Sequence, residues 1–416
     1  IDAIARQGAK PRFDNTIAAL ERSGSTLDRV YRIYAVWQTS MSSPEFQKVQ
    51  LELAPELAAV LDKINQNQAL FRRAAAIYEG RADLSLTPEQ ERLVWYYYMR
   101  FKRAGAQLDS ANRERMSTIN QRLAELQTAF SQNVLHDEEQ YLLLEQESDL
   151  EGLPDDLRAI AAAAAESRDH AGKWAVLNTR SSMEPFLMFS ARRDLREKVW
   201  RTYYSRGDNG DEHDNNALIA EILKLRHERV GLLGYDSYAA WRLEDRMAKS
   251  PERALELMEA LWPAALARVE QEVADMQAIA DAEGAGITIA PWDYRYYAEK
   301  VRQARYQLDS DEVKQYLQLD NLREAMFDVA GELFGFAFTP VPEGQVPVFH
   351  PDVKVWQVTD RDSGEHVGVW YLDPYARAGK RSGAWATTNQ DRESFDGIKT
   401  VVGSNNSNFV KGAEGE

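Results

Sequence analysis

The chain has 416 residues, 44% hydrophobic and 28% charged, enough to bury a large core and, at roughly 150 residues per domain, to form two or three domains. Fifty Lys and Arg against 66 Asp and Glu leave a net charge of −16, opposite in sign to the footprint of a general nucleic-acid binder. Cysteine is absent, which removes disulfides, thiolate metal sites and cysteine nucleophiles together. No apolar run reaches the roughly 18 residues that a membrane span needs. A cysteine-free chain suits a cytoplasmic or a periplasmic setting equally.

In chain order, Ile1, Ile4 and Ala5 read as a helix already under way, and 411–416 closes no element; both ends look like cuts in a longer polypeptide. The pattern is helical from there to about Gly335. Thr87-Pro88-Glu89-Gln90 offers a hydroxyl cap, proline at the first helical position and a glutamine to close a capping box. A helix over about 112–135 places Met116, Ile119, Leu123, Leu126 and Phe130 on one buried stripe. Short strands are predicted near 140–144 and 174–178, with an alanine-rich helix after Ile160 to which no function attaches. Ser250-Pro251-Glu252 starts a long helix with Leu255, Met258, Trp262, Leu266, Val269, Val273 and Met276 on one face. Pro263 should kink that helix, and Gly284 and Gly286 end it. Composition shifts near Pro340: 353–359 and 367–372 read as strands joined by a turn at 360–364, and a third strand is expected over 383–388. The expected division is a mainly helical body over 1–340 and a small β-sheet region over 341–416.

Of the six histidines no two stand at i, i+4, so no helix presents two imidazoles on one face. His227-Glu228 has the opening of a zincin helix, but Gly231 stands where the second histidine belongs; a lone histidine there reads as structural. Asp211-Glu212-His213-Asp214 reads as a solvated loop before a weak cation site. There is no nucleophile elbow, phosphate loop or dinucleotide fingerprint. Trp95-Tyr96-Tyr97-Tyr98 cannot all face one way on a helix, so core plus surface is expected. The small residues Gly383 and Ala384, followed by Trp385, would leave the backbone of a strand approachable. At a sheet edge such a strand pairs with an extended peptide; a covering loop would instead cap it.

Several ordered segments resemble the thimet-oligopeptidase-like zinc metallopeptidases. They are Pro11-Arg12-Phe13-Asp14-Asn15-Thr16-Ile17, Leu232-Leu233-Gly234-Tyr235 with Arg246-Met247-Ala248, and Trp292-Asp293-Tyr294-Arg295-Tyr296-Tyr297. His350-Pro351-Asp352-Val353, the run from Tyr371 to Arg377 and Gly383-Ala384-Trp385 are closer to the bacterial peptidyl-dipeptidase branch. The resemblance implies a mostly α fold, a large multi-helix two-lobed body around a channel, with a small β-sheet near the C-terminal end of the chain. It implies an enzyme that releases dipeptides from the C-termini of short peptides, through zinc-bound water and a glutamate base. The family's His-Glu-x-x-His helix follows a segment like Asn405-Asn406-Ser407-Asn408-Phe409-Val410-Lys411-Gly412, so the zinc ligands are expected beyond Glu416 and residues 1–416 alone should be catalytically silent. For the residues present, the resemblance implies that Gly383 and Ala384 hold the substrate backbone and that Trp385 shapes a nearby pocket. The expected partners are short peptides, not nucleic acid or membrane; no motif speaks to oligomeric state. An endopeptidase of the oligopeptidase A type and a non-catalytic helical peptide-binding module are the alternatives.

Overall fold

The computed structural model describes residues 1–307 and 310–411. The chain forms two compact units: one of Ile1–Gln38, Ser43–Asn133 and Gly210–Leu261, the other of Thr39–Ser42, Val134–Asn209 and the residues from Trp262 on.

The first unit is helical, and its helices begin where the sequence signals them. Helix Pro88–Arg103 is capped by Thr87, whose Oγ1 accepts from Gln90 N at 3.3 Å while Gln90 Oε1 accepts from Thr87 N at 3.1 Å. Its inner face gives Val94, Tyr97 and Phe101 to a core with Ile17, Leu20, Leu70, Ala74 and Ile77; each large side chain buried this way contributes about 1.5–3 kcal/mol. The aromatic run splits as expected. Tyr97 is buried and donates to Glu21 at 2.7 Å, Tyr98 stacks on Tyr78 at 4.0 Å, and Tyr96 faces solvent. Arg73, also buried, fastens the Pro11–Ile17 stretch by donating to Thr16 Oγ1 and Asn15 Oδ1 and to the carbonyls of Gln7 and Ala9. The stripe Met116, Ile119, Leu123 and Leu126 of helix Ser110–Glu138 is buried, and the last three meet Ile222 and Leu225 of helix Asn216–Leu232.

In the second unit β1 (Tyr141–Leu144) and β2 (Trp174–Leu177) form an antiparallel pair. The alanine-rich helix Asp155–Glu166 packs on β2 through Ala161 and Ala165; small side chains permit that approach, which is the structural purpose of the run. The main sheet holds β3 (Phe336–Pro340), β4 (Lys354–Asp360), β5 (His366–Tyr375), β6 (Trp385–Gln390) and β7 (Val401–Phe409), in the order β3-β4-β5-β7-β6. Only β5 and β7 run parallel; the other neighbours are antiparallel. Phe327 of helix Leu319–Phe334 covers the sheet, stacking on Phe338 at 4.1 Å and edge-on against Trp356 and Trp370. Gly335 closes that helix in the left-handed conformation at φ +69°, which glycine adopts without a Cβ penalty.

One expectation is corrected and two strands are added. The strand predicted over 383–388 begins at Trp385, because Gly383 at φ +97° bends the chain out of extended geometry. Two strands escaped prediction: β3, and β7, whose Asn- and Ser-rich run has little intrinsic strand character. Helix Pro251–Ala282 forms with Pro263 inside it, and of its apolar stripe Met276 is buried while Leu255, Met258, Trp262, Leu266, Val269 and Val273 are exposed.

Candidate substrate-binding strand

Strand β6 is the last of the sheet, so one of its backbone edges meets β7 and no described strand pairs with the other. A strand in that position is the kind that an extended chain can join. Along it Trp385 and Thr387 are half-buried while Ala386 and Thr388 are exposed, the alternation of a one-sided strand. Gly383 and Ala384 are exposed and lie in the segment that enters β6. The Gly383 carbonyl is already engaged, accepting from Asn408 Nδ2 at 2.7 Å, and the same amide donates to Arg381 O at 3.0 Å. Trp385 lies under the Arg381 guanidinium at 4.7 Å, and its buried indole N–H has no partner among the described residues.

The segment 376–384 carries the chain from β5, across the end of β7, to β6. Its anchor is Asp373, fully buried near the end of β5. Arg377 binds that carboxylate through both terminal nitrogens, at 2.7 and 2.9 Å, and donates from Nε and Nη2 to the Ser40 carbonyl. Lys380, its side chain equally buried, lies 3.1 Å from Asp373 Oδ1 and donates to the carbonyls of Asp373 at 3.1 Å and Tyr375 at 2.8 Å. Burial pushes the Lys380 ammonium down to about 8, with Asp373 opposing that shift. The Thr39–Ser42 strap adds two backbone bonds, Ser42 N to Gly379 O at 2.9 Å and Arg381 N to Thr39 O at 3.0 Å. Ser382 binds Glu138, which also receives Arg206 at 2.6 Å. The β5–β7 register shifts between Asp373 and Tyr375, at Pro374, which has no N–H to give the ladder.

A second ionic hub fixes the Trp292–Tyr297 block. Asp293, fully buried, accepts from Arg193 at 2.9–3.1 Å, from Arg196 at 2.8 Å and from Ala290 N at 3.1 Å. Burial raises this carboxyl, and the two arginines more than reverse it, so it sits below the usual carboxylate range.

The histidines stay apart. His227 is exposed on its helix. His213 Nε2 lies 3.7 Å from Glu212, and its backbone N–H donates to Asp211. His350 sits beside Asp352 at 3.6 Å, its pKa lowered first by burial and then by Arg377. Among the described residues no three His, Asp or Glu side chains converge as a metal would require. The described residues do not fit a zinc site. Sequence reasoning missed both hubs, although Asp373 between Leu372 and Pro374, and Asp293 after Trp292, were signals: a carboxylate set among apolar residues needs cations.

The described residues form a mostly helical chain with a small mixed sheet that ends in the edge strand β6. The chain belongs to peptidase family M3, whose model matches residues 186–416. It is 34% identical to the dipeptidyl carboxypeptidases of Salmonella typhimurium and Escherichia coli, over 418 residues that cover 100% of this chain and 61% of each relative. It is 30% identical to oligopeptidase A of Escherichia coli over 92% of the chain and 57% of that protein. The chain thus spans 61% or less of the length of these curated relatives. Among the described residues no helix is long and apolar enough to cross a membrane.

Proposed function

We propose that this chain is the peptide-binding part of a zinc metallopeptidase that releases dipeptides from the C-termini of short peptides, with the zinc ligands outside residues 1–416. The observation that supports this reading is the 34% identity, over the whole of this chain and 61% of each relative, to two dipeptidyl carboxypeptidases. The open outer edge of β6 supplies its physical means. A substrate adds as a further strand on that edge, held by main-chain bonds that tolerate many sequences, while side-chain pockets set preference. Gly383 and Ala384 leave room for its backbone, and Trp385 borders a pocket. The division of labour falls near residue 340, with the sheet region next to the substrate. Oligopeptidase A, at 30% identity, supports an endopeptidase as the second reading.

Two experiments test this. In the complete polypeptide, a peptide with a free C-terminal carboxylate should lose dipeptides while its C-terminal amide stalls; equal cleavage of both would favour the endopeptidase. Ala384→Pro removes a backbone donor beside β6 and should raise KM with little effect on kcat. Unchanged KM would refute the edge-strand reading.

A further inference from the structure

We propose that Lys380, acting with Asp373 and Arg377, is a positioning residue that holds the entry of β6 where the strand's open edge can receive a peptide. The inference rests on the reading of β6 as the peptide-binding strand and adds what sets that strand in place.

The connection from β5 to β6 must pass β7, which lies between them, so β6 inherits its placement from segment 376–384. That segment is held on every side that the structure describes. Asp373 and Arg377 fix its start, the Thr39–Ser42 strap its middle, and Asn408 its end. A Cβ on Gly379, which has φ +73°, would collide with the Ser42 carbonyl, so the strap lies flush against the segment. Lys380 sits at the centre of this arrangement. Its ammonium has three hydrogens and faces three acceptors, Asp373 Oδ1 and the carbonyls of Asp373 and Tyr375. With the side chain 0% exposed, no bulk water stands ready to replace a lost bond.

Two of these contacts are hydrogen bonds to carbonyls and the third is an ion pair with Asp373 Oδ1, so deprotonation leaves the first two possible and removes the charge on which the third depends. The charged groups that bear on Lys380 are Asp373 from β5, Arg377 of the same segment and Asp352 from the stretch before β4. Behind them stand His350 against Asp352, and Lys411, which pairs with Asp352 at 2.6 Å. Burial outweighs the carboxylates and places the titration near pH 8. Above that pH the segment loosens, β6 loses its fixed placement and peptide binding weakens, while bond cleavage in bound substrate is untouched.

The test is the pH dependence of KM and kcat in the complete peptidase, for a short peptide and from about pH 6.5 to 9.5, with wild type, Lys380→Met and Ala384→Pro in parallel. The wild-type KM should rise about tenfold through pH 8 as the Lys380–Asp373 ion pair is lost. Lys380→Met should show the raised KM at every pH, with no rise of its own and kcat unchanged. A wild-type KM flat through pH 8, or a Lys380→Met profile that overlays wild type, overturns the proposal. If Ala384→Pro raises KM and Lys380→Met does not, this inference alone falls; if neither does, the edge-strand reading falls with it. Hydrogen exchange in wild type, corrected for intrinsic rates, stands in should Lys380→Met fail to fold. Amides of 385–390 should lose protection between about pH 7 and 9 while those of 354–358 in β4, which does not pair with β6, keep theirs, and an unchanged protection of 385–390 would overturn the proposal.

Discussion

Asp293 offers the sharpest test of the energetics. Its carboxylate is 0% exposed and binds two arginines of unequal setting: Arg193 is 40% exposed, Arg196 2%. Replacing Asp293 with Asn keeps the shape and removes the charge. Arg193 can turn to water, so its part of the loss should be small, within the 0–1 kcal/mol of an exposed pair. Arg196 cannot. Its other partners are the carbonyls of Ser190 at 2.8 Å and Trp292 at 3.3 Å, neither of which neutralises a buried guanidinium. Leaving that charge uncompensated costs about 3–5 kcal/mol, and Asp293→Asn should destabilise the second unit by that amount. Urea unfolding read by tryptophan fluorescence measures it, since Trp292 and Trp200 pack edge to face at 5.9 Å beside the hub. Adding Arg196→Met should recover much of the loss, because no buried charge then remains. The pH sign follows from the lowered pKa of Asp293. Its stabilisation is full above the carboxylate's unfolded value, near pH 4, and is lost as pH falls through the folded value, so the acid limb of stability should flatten in the variant. A loss below about 1 kcal/mol, or no recovery in the double variant, would refute the reasoning.

Further predictions concern single contacts. Thr87→Ala removes one half of a capping box and should cost about 1 kcal/mol in denaturant unfolding of the first unit, with Thr87→Ser close to wild type. Phe327→Ala takes a stacked ring off the sheet and should cost about 3–5 kcal/mol in the second unit. Gly379→Ala puts a methyl against the Ser42 carbonyl at φ +73°. It should destabilise by more than the roughly 1 kcal/mol of left-handed strain alone and speed amide exchange at Ser42 and Arg381, which are bonded across that contact.

What was legible in the sequence divides along the range of the interactions. The capping box at Thr87 and the stripe from Met116 to Leu126 depend on residues within about three turns of each other, so a one-dimensional reading reaches them. The turn at 360–364 is equally local: Asp360 Oδ1 accepts from Asp362 and Ser363, and Gly364 takes φ +72°. Strand order is not local. β5 and β7 pair in parallel although 25 residues separate Tyr375 from Val401, and β6 falls outside them because the chain crosses β7 and turns back. The edge position of β6 was an expectation with an alternative beside it, and its start at Trp385 was misplaced because Gly383 looks as extended as its neighbours until its φ is known. The stripe on helix Pro251–Ala282 marks the opposite failure. Periodicity establishes that a face is apolar, yet Leu255, Trp262 and Val269 stand exposed on it.

Two of the blocks that carried the resemblance, around Asp293 and Asp373, reduce to one physical device. Each places a carboxylate at 0% exposure and gives it two cations, Arg193 and Arg196 in one case, Arg377 and Lys380 in the other. In each, cations also reach backbone carbonyls: Arg196 those of Ser190 and Trp292, Lys380 those of Asp373 and Tyr375, and Arg377 that of Ser40. Such a hub adds little net stability over a well-packed apolar alternative, because desolvation consumes most of the Coulomb gain. Its effect is on placement. Once the members are buried, removing any one strands the others, so the segments they join have one low-energy arrangement instead of several. Asp293 joins the start of helix Tyr294–Tyr306 to helix Arg193–Tyr204. Asp373 joins the end of β5 to the segment that sets β6. A strand that binds peptides by main-chain bonds needs its register held to a fraction of a residue spacing. Apolar packing around small residues such as Gly383 and Ala384 cannot supply that, whereas a saturated set of short ionic bonds one loop away can.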